Sequence, residues 1–175
     1  MTRSLLATLA IAILCAAAGV AFYQWQGGNR GESPGEAAQL LFAAQFPGTD
    51  GKAQALSQWR GQVLVVNFWA TWCDPCREEI PGFIKLHSQF RERGVVFVGI
   101  AVDQRDKVET YAREIGMNYP VVIGGLESMD MARQLGDSKS VLPFTLVLDR
   151  TGRIALSHLG AISAARLEAT IQELM

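Results

Sequence analysis

The chain has few of the residues that build metal centres and no surplus of charge. Its 175 residues include two histidines and three cysteines. Structural zinc takes four Cys or His ligands, usually as two close pairs. Here only one close pair exists, Cys73 and Cys76. Cys15 lies in an apolar run, His87 falls on the apolar face of a predicted helix, and His158 falls in a predicted hairpin with no visible role. No metal site and no cofactor is expected. Lys and Arg number 16 against 17 Asp and Glu, so the basic surplus of a nucleic-acid-binding protein is missing. Apolar residues make up 49%, too many for a disordered chain. There is no internal repeat. The length suits one domain plus an appendage.

Charge is wholly absent from residues 4–26, which a single Arg3 precedes. The apolar part, Leu5 to Phe22, is close to the length that spans a bilayer as a helix. An uncleaved anchor over residues 1–25 fits that length, and Phe22, Tyr23 and Trp25 would lie at the membrane interface. A cleaved signal peptide is the alternative, with Ala16–Gly19 or Gly19–Ala21 as its exit site. A lipoprotein signal is excluded because Leu14, not a small residue, precedes Cys15. Residues 26–37, rich in Gly, Ser, Pro and charge, read as a flexible tether.

From residue 38 to 175 apolar runs alternate with amphipathic stretches. Residues 40–56 read as a short hairpin turning at Gly48 and Asp50-Gly51. Val63–Ala70 and Val95–Val102 are continuous apolar runs of the kind that form buried strands. Residues 75–92 have helical periodicity, with Ile80, Phe83, Ile84, His87 and Phe90 on one face. Pro81 should kink that helix. Two shorter helices ending at Gly116 and Gly136 flank a short strand, "YPVVIG". Phe144–Gly160 reads as a hairpin around Asp149–Gly152, and a final helix takes Ser163 as its N-cap. This order predicts an α/β fold with a mixed central sheet. "CDPC" falls between the first buried strand and its helix, at the strand end where chemistry gathers in such sheets.

A metal site and a structural staple both explain that pair poorly. The loop closed by two cysteines so close together yields only about 2 kcal/mol of chain-entropy stabilisation. A redox centre explains the details. Cys73 would sit exposed at a helix N-terminus, where the dipole and free N–H groups stabilise a thiolate. Cys76, one turn on, is the natural resolving thiol, and Pro75 suits the first helical turn. Trp72 would flank the exposed sulfur. Asp74 opposes a neighbouring thiolate and Pro75 removes an N–H that would stabilise it, so both tune the pair toward the reducing side.

"VLVVNFWATWCDPCREEIP" and "VLPFTLVLDRTGRI", with the interval between them, resemble the thioredoxin superfamily, in its membrane-anchored TlpA/ResA-like branch, over residues 40–175. The resemblance implies a thioredoxin-like fold with an N-terminal β-hairpin and a central strand–helix insertion. The roughly 40 residues between Asp103 and Phe144 leave room for that insertion. By the same resemblance Cys73 is the attacking thiolate, Cys76 resolves, and Pro143 is the cis-proline facing the disulfide. The backbone of Leu142 would pair with an extended substrate segment. Thioredoxin carries a buried aspartate where this chain has Asn67, which cannot take a proton. Glu79, three residues past Cys76 and on its helix face, is the replacement that the branch implies. Glu78 reads as a solvated residue paired with a nearby Arg.

These readings add up to a membrane-tethered protein disulfide reductase, single-pass in the bacterial inner membrane, with its domain in the periplasm or on the outer face. The resemblance implies disulfide-bearing protein clients, among them apocytochrome c, and a membrane thiol donor of the DsbD/CcdA type. Two alternatives stand beside it. A peroxiredoxin-type peroxidase would carry threonine where this chain has Ala70. A non-enzymatic binding module would have no use for the cysteine pair.

Overall fold

The computed structural model describes residues 34–175. The expected membrane segment, Cys15 and the tether up to residue 33 lie outside the described residues. Among the described residues no helix is long and apolar enough to cross a membrane.

The first helix, α1 (Pro34–Ala43), begins within the stretch that composition reads as tether. Proline is well suited to the first helical position, and Ala38, Leu41 and Phe42 supply a buried stripe at helical spacing. Leu40–Ala43 therefore end a helix, where the sequence suggested the start of a hairpin. The hairpin itself is present but shorter. Strands β1 (Gln45–Pro47) and β2 (Ala53–Ala55) pair antiparallel. Between them Gly51 takes φ 78°, a conformation glycine adopts without penalty.

The main sheet has five strands in the order β5–β4–β3–β6–β7. They are β3 (Val63–Trp69), β4 (Val95–Ala101), β5 (Val121–Ile123), β6 (Phe144–Leu148) and β7 (Ile154–Leu159). β3 runs parallel to β4 and antiparallel to β6; β4 and β5 are parallel; β6 and β7 are antiparallel. This is the mixed sheet that the strand–helix alternation predicts. Helices α2 (Asp74–Phe90), α3 (Arg105–Glu114), α4 (Ser128–Gln134) and α5 (Ala164–Glu173) complete the domain. β5 and α4 fill the expected central insertion. Ser163 caps α5, its side chain accepting from Arg166 N at 3.3 Å.

Strand β3 is the central strand, and every residue in it is buried. Its side chains alternate between two faces. Leu64, Val66 and Phe68 join one core with Leu41, Leu56, Phe144 and Leu146. Val63 and Val65 join the other, with Phe83, Phe90, Leu167 and Ile171 from α2 and α5. By the same alternation Asn67 faces α2, a single amide in an otherwise apolar strand. Helix α2 runs unbroken through Pro81 and buries Ile80, Phe83, Leu86, His87 and Phe90. His87 is a core-edge histidine. Its ring meets Phe97 and Tyr119 edge-on, and burial, with the nearby Arg91 charge, holds its pKa below the usual value.

Candidate active site

Strand β3 ends at Trp69, and the chain turns through Ala70–Trp72 into α2. Cys73 is the N-cap of α2, and Cys76 lies in its first turn. The two are joined as a disulfide. Cys76 N donates to Cys73 Sγ at 3.3 Å, so the freed end of the helix backbone already points at the sulfur that would carry negative charge. Cys73 is less open than a bare helix N-terminus implies. It is only 6% exposed, packed in a cluster with Trp69, Ala70, Ile80 and Ala101, and Cys76 is fully buried. The ends of β3 and β4 and the apolar face of α2 pack around the pair. Trp72, by contrast, is 64% exposed beside it.

The Leu142–Pro143 bond is cis. Leu142 packs against the cluster that holds both sulfurs, which brings the two separated motifs of the sequence together. Pro143 O is tied back by Gly160 N at 2.8 Å, and β6 starts one residue later. Asp74 is exposed at the first position of α2, and Arg77 stands 3.8 Å from it. Pro75 follows within the same turn. Glu78 is exposed, and among the described ion pairs Arg77 engages Asp74 in its place.

Glu79 lies on the apolar face of α2 and is only 6% exposed. Its Oε1 accepts from Asn67 Nδ2 at 2.8 Å, and its Oε2 accepts from Ile162 N at 2.9 Å. Burial raises its pKa from 4.5 to about 7, against the smaller pull of the Ile162 and Asn67 hydrogen bonds. Asn67 also donates to Thr145 Oγ1 at 3.0 Å, so one amide bridges β3, α2 and β6. A carboxyl that changes charge near neutral pH, one helical turn from Cys76, has the properties of a proton acceptor for that thiol.

Sequence reasoning missed the group that holds the loop. Asp103, two residues beyond β4, accepts from Thr71 N at 3.2 Å and from the Thr71 hydroxyl at 2.5 Å. Its other oxygen accepts from Gln104 N at 2.7 Å. Burial opposes the charge, but these hydrogen bonds outweigh it, with help from Lys107, and hold the carboxyl below its usual pKa. The available signal was its position, an acid at the carboxyl end of a central strand beside the cysteine loop. Tyr119 was missed too. Its hydroxyl is buried with no partner among the described residues, and burial, reinforced by the Glu79 charge, pushes its pKa far up.

A family model described as AhpC/TSA family matches residues 35–157. The chain belongs to the AhpC/TSA family. Among curated relatives similar to this AhpC/TSA-family chain is the thiol-disulfide oxidoreductase ResA of Bacillus cereus. It is 28% identical over 98% of this chain and 96% of its own length. A thioredoxin-family thiol:disulfide interchange protein from Chlorobium tepidum has a similar crystal structure. It is 31% identical with TM-score 0.68, over 75% of this chain and 92% of that one. A secreted thiol-disulfide isomerase from Corynebacterium glutamicum is 27% identical with TM-score 0.69, over 75% and 82% of the two chains. With its paired Cys73 and Cys76 and its thioredoxin-like sheet, this AhpC/TSA-family protein is a thiol–disulfide oxidoreductase.

Proposed function

We propose that the protein reduces disulfides of partner proteins in the bacterial envelope, tethered to the inner membrane by residues 4–26. The observation that carries the direction is the composition of the first turn of α2. An exposed Asp74 and an N–H-less Pro75 stand between the sulfurs, so neither of them adds to the stabilisation that Cys76 N gives a Cys73 thiolate. A less stabilised dithiol is the stronger reductant.

In the reaction the Cys73 thiolate attacks one sulfur of a client disulfide. A mixed disulfide forms, and the client's other sulfur leaves as a thiolate. Cys76 then gives its proton to Glu79 and attacks Cys73 Sγ. The first client sulfur is released as a thiolate, and the Cys73–Cys76 disulfide forms. Two electrons pass from the dithiol to the client, and the two client thiolates take up protons. The backbone beside cis-Pro143, at Leu142, holds the client segment extended across the site, and Trp72 walls the sulfur on the other side. The CxxCH segment of an apocytochrome c, which must be reduced before heme attaches, is the proposed client. A membrane thiol transporter of the DsbD/CcdA type is the proposed source of electrons, because a reductase in an oxidising compartment must itself be re-reduced.

The test is the reduction potential measured against glutathione, paired with a trap. The expected potential lies nearer the roughly −270 mV of thioredoxin than the roughly −120 mV of DsbA; a value above about −180 mV would reverse the direction. The Cys76→Ser protein should accumulate clients disulfide-linked to Cys73. Robust peroxide turnover would move the protein to the peroxidase class instead. A reporter fused after residue 30 and active only outside the cytoplasm supports the envelope placement; activity inside removes the cytochrome reading.

A further inference from the structure

Few large apolar side chains of the described residues are exposed, and two of them share one cleft. Trp72, immediately before Cys73, and Leu126, 79% exposed in the loop between β5 and α4, line a cavity of about 310 Å³. Val102, buried just past the end of β4, forms an apolar floor, and Asp103 and Lys107 supply the polar rim. The apolar rim thus comes from two separate segments: the loop that carries the attacking sulfur, and the central insertion.

The charges in the cleft are not equivalent. Both oxygens of Asp103 are taken by Thr71 and Gln104. Lys107 is exposed, and it appears in none of the ion pairs among the described residues. The cleft therefore offers an apolar wall, room for one large side chain, and one exposed ammonium that acts on Asp103 at a distance but makes no close ion pair among the described residues. Exposed apolar side chains gathered in one cleft with a polar rim are a feature of interaction sites.

We propose that this cleft is a specificity subsite for the client, taking a large apolar side chain near the client's cysteine with a carboxylate beside it to meet Lys107. The assignment rests on the reading of the protein as a protein-disulfide reductase. It adds a preference that the cysteine pair and cis-proline do not supply, since those engage sulfur and backbone.

The test uses the full chain, reduced, and two synthetic peptides that each hold an internal disulfide. One carries Phe-Glu next to a cysteine and the other carries Ser-Lys. Bis(2-hydroxyethyl) disulfide, too small to fill the cleft, is the control. The Phe-Glu peptide should be reduced about tenfold faster in kcat/KM, the factor that a well-filled apolar subsite supplies. Leu126→Ser, a change at an exposed loop position, should remove most of that preference. Lys107→Glu should favour a Phe-Lys peptide over Phe-Glu. Leu126→Ser should not alter the rate on the small disulfide, and the Lys107→Glu effect is read as the ratio of its rates on the two Phe peptides, because Lys107 also acts on Asp103. Equal rates on both peptides, with a normal rate on the small disulfide, would overturn the subsite and leave the reductase standing. Failure to reduce any of the three would overturn the reductase reading, and the subsite with it. A dimer dispersed by Leu126→Ser, with peptide rates unchanged, would give the face to a second copy of the chain and overturn the proposal.

Discussion

The Asn67 amide donates to Glu79 Oε1 across 2.8 Å, linking the central strand to the helix that carries both cysteines. With Ile162 N on the other oxygen, the carboxylate is held from two sides in an apolar face. Replacing the strand acid of thioredoxin by an amide has thus not removed the acid from the site. The titrating group sits on the helix, and the strand residue orients it.

Glu79→Gln should slow the step in which Cys76 resolves the mixed disulfide. General-base help is typically worth about 10²–10⁴-fold, and a partner one turn away should supply at least the lower end. The wild-type rate should rise with pH through an inflection near 7, where Glu79 gives up its proton. The Gln variant should show no inflection there. Release of a labelled client from Cys73, followed from pH 5.5 to 8.5, reads both quantities. Matching profiles would remove Glu79 from the mechanism.

The same carboxyl makes stability depend on pH. Its folded pKa, about 7, lies above the 4.5 of the exposed group. Folding is therefore favoured by proton binding at Glu79, fully so below about 4.5, and that contribution is lost as pH rises through about 7. The difference corresponds to about 3 kcal/mol. His87, with a depressed pKa, contributes a slope of the opposite sign at lower pH, so the comparison must be with Glu79→Gln. Urea midpoints of the oxidised proteins at pH 5 and pH 8 should fall for wild type relative to the variant. Parallel curves would contradict the burial argument.

The sequence exposed the sheet because β3, β4 and β6 are buried on both faces and so read as apolar runs. It exposed the cysteine pair because that chemistry lies within four consecutive residues. What it hid was produced by folding. Glu79 could be proposed from helix spacing, but its partner Ile162 N lies 83 residues away. Asp103 reaches Thr71 only because β3 and β4 pair in register, Trp69 beside Ala101. Helix α1 was hidden for a different reason. Its first turn is written in Pro, Gly and Glu, a composition that loops share, and only the burial of Ala38, Leu41 and Phe42 reveals it.

Asp103→Ala should loosen the loop that presents Cys73. It leaves the Thr71 N–H and hydroxyl without their acceptor, a loss of about 1–3 kcal/mol. The Asn variant keeps an acceptor oxygen for Thr71 and should recover part of this. If Asp103 matters only to stability, the client reduction rate of folded Asp103→Ala will match wild type. If it positions the cysteine loop, kcat should fall while the midpoint potential stays within about 10 mV, a third of the 30 mV that 1.4 kcal/mol represents in a two-electron couple.

Asp74→His should make the pair more oxidising. Asp74 is exposed, and Arg77 at 3.8 Å offsets its charge only partly, because exposed ion pairs are weak. An anion there disfavours a thiolate on the adjacent Cys73. Removing it, and adding a group that is partly cationic near neutral pH, stabilises the thiolate and with it the reduced form. Cys76 N, which already donates to Cys73 Sγ, then acts in the same direction as the new side chain. Stabilising the reduced form raises the potential, and a gain of about 1.4 kcal/mol is about 30 mV. Equilibration with glutathione should therefore place the His variant at least about 30 mV above wild type, with the difference shrinking as pH rises and the imidazole loses its proton. A potential that stays put would mean that Asp74 is screened from the sulfur by solvent and Arg77. The proposed reducing direction would then rest on Pro75 and the burial of Cys73 alone.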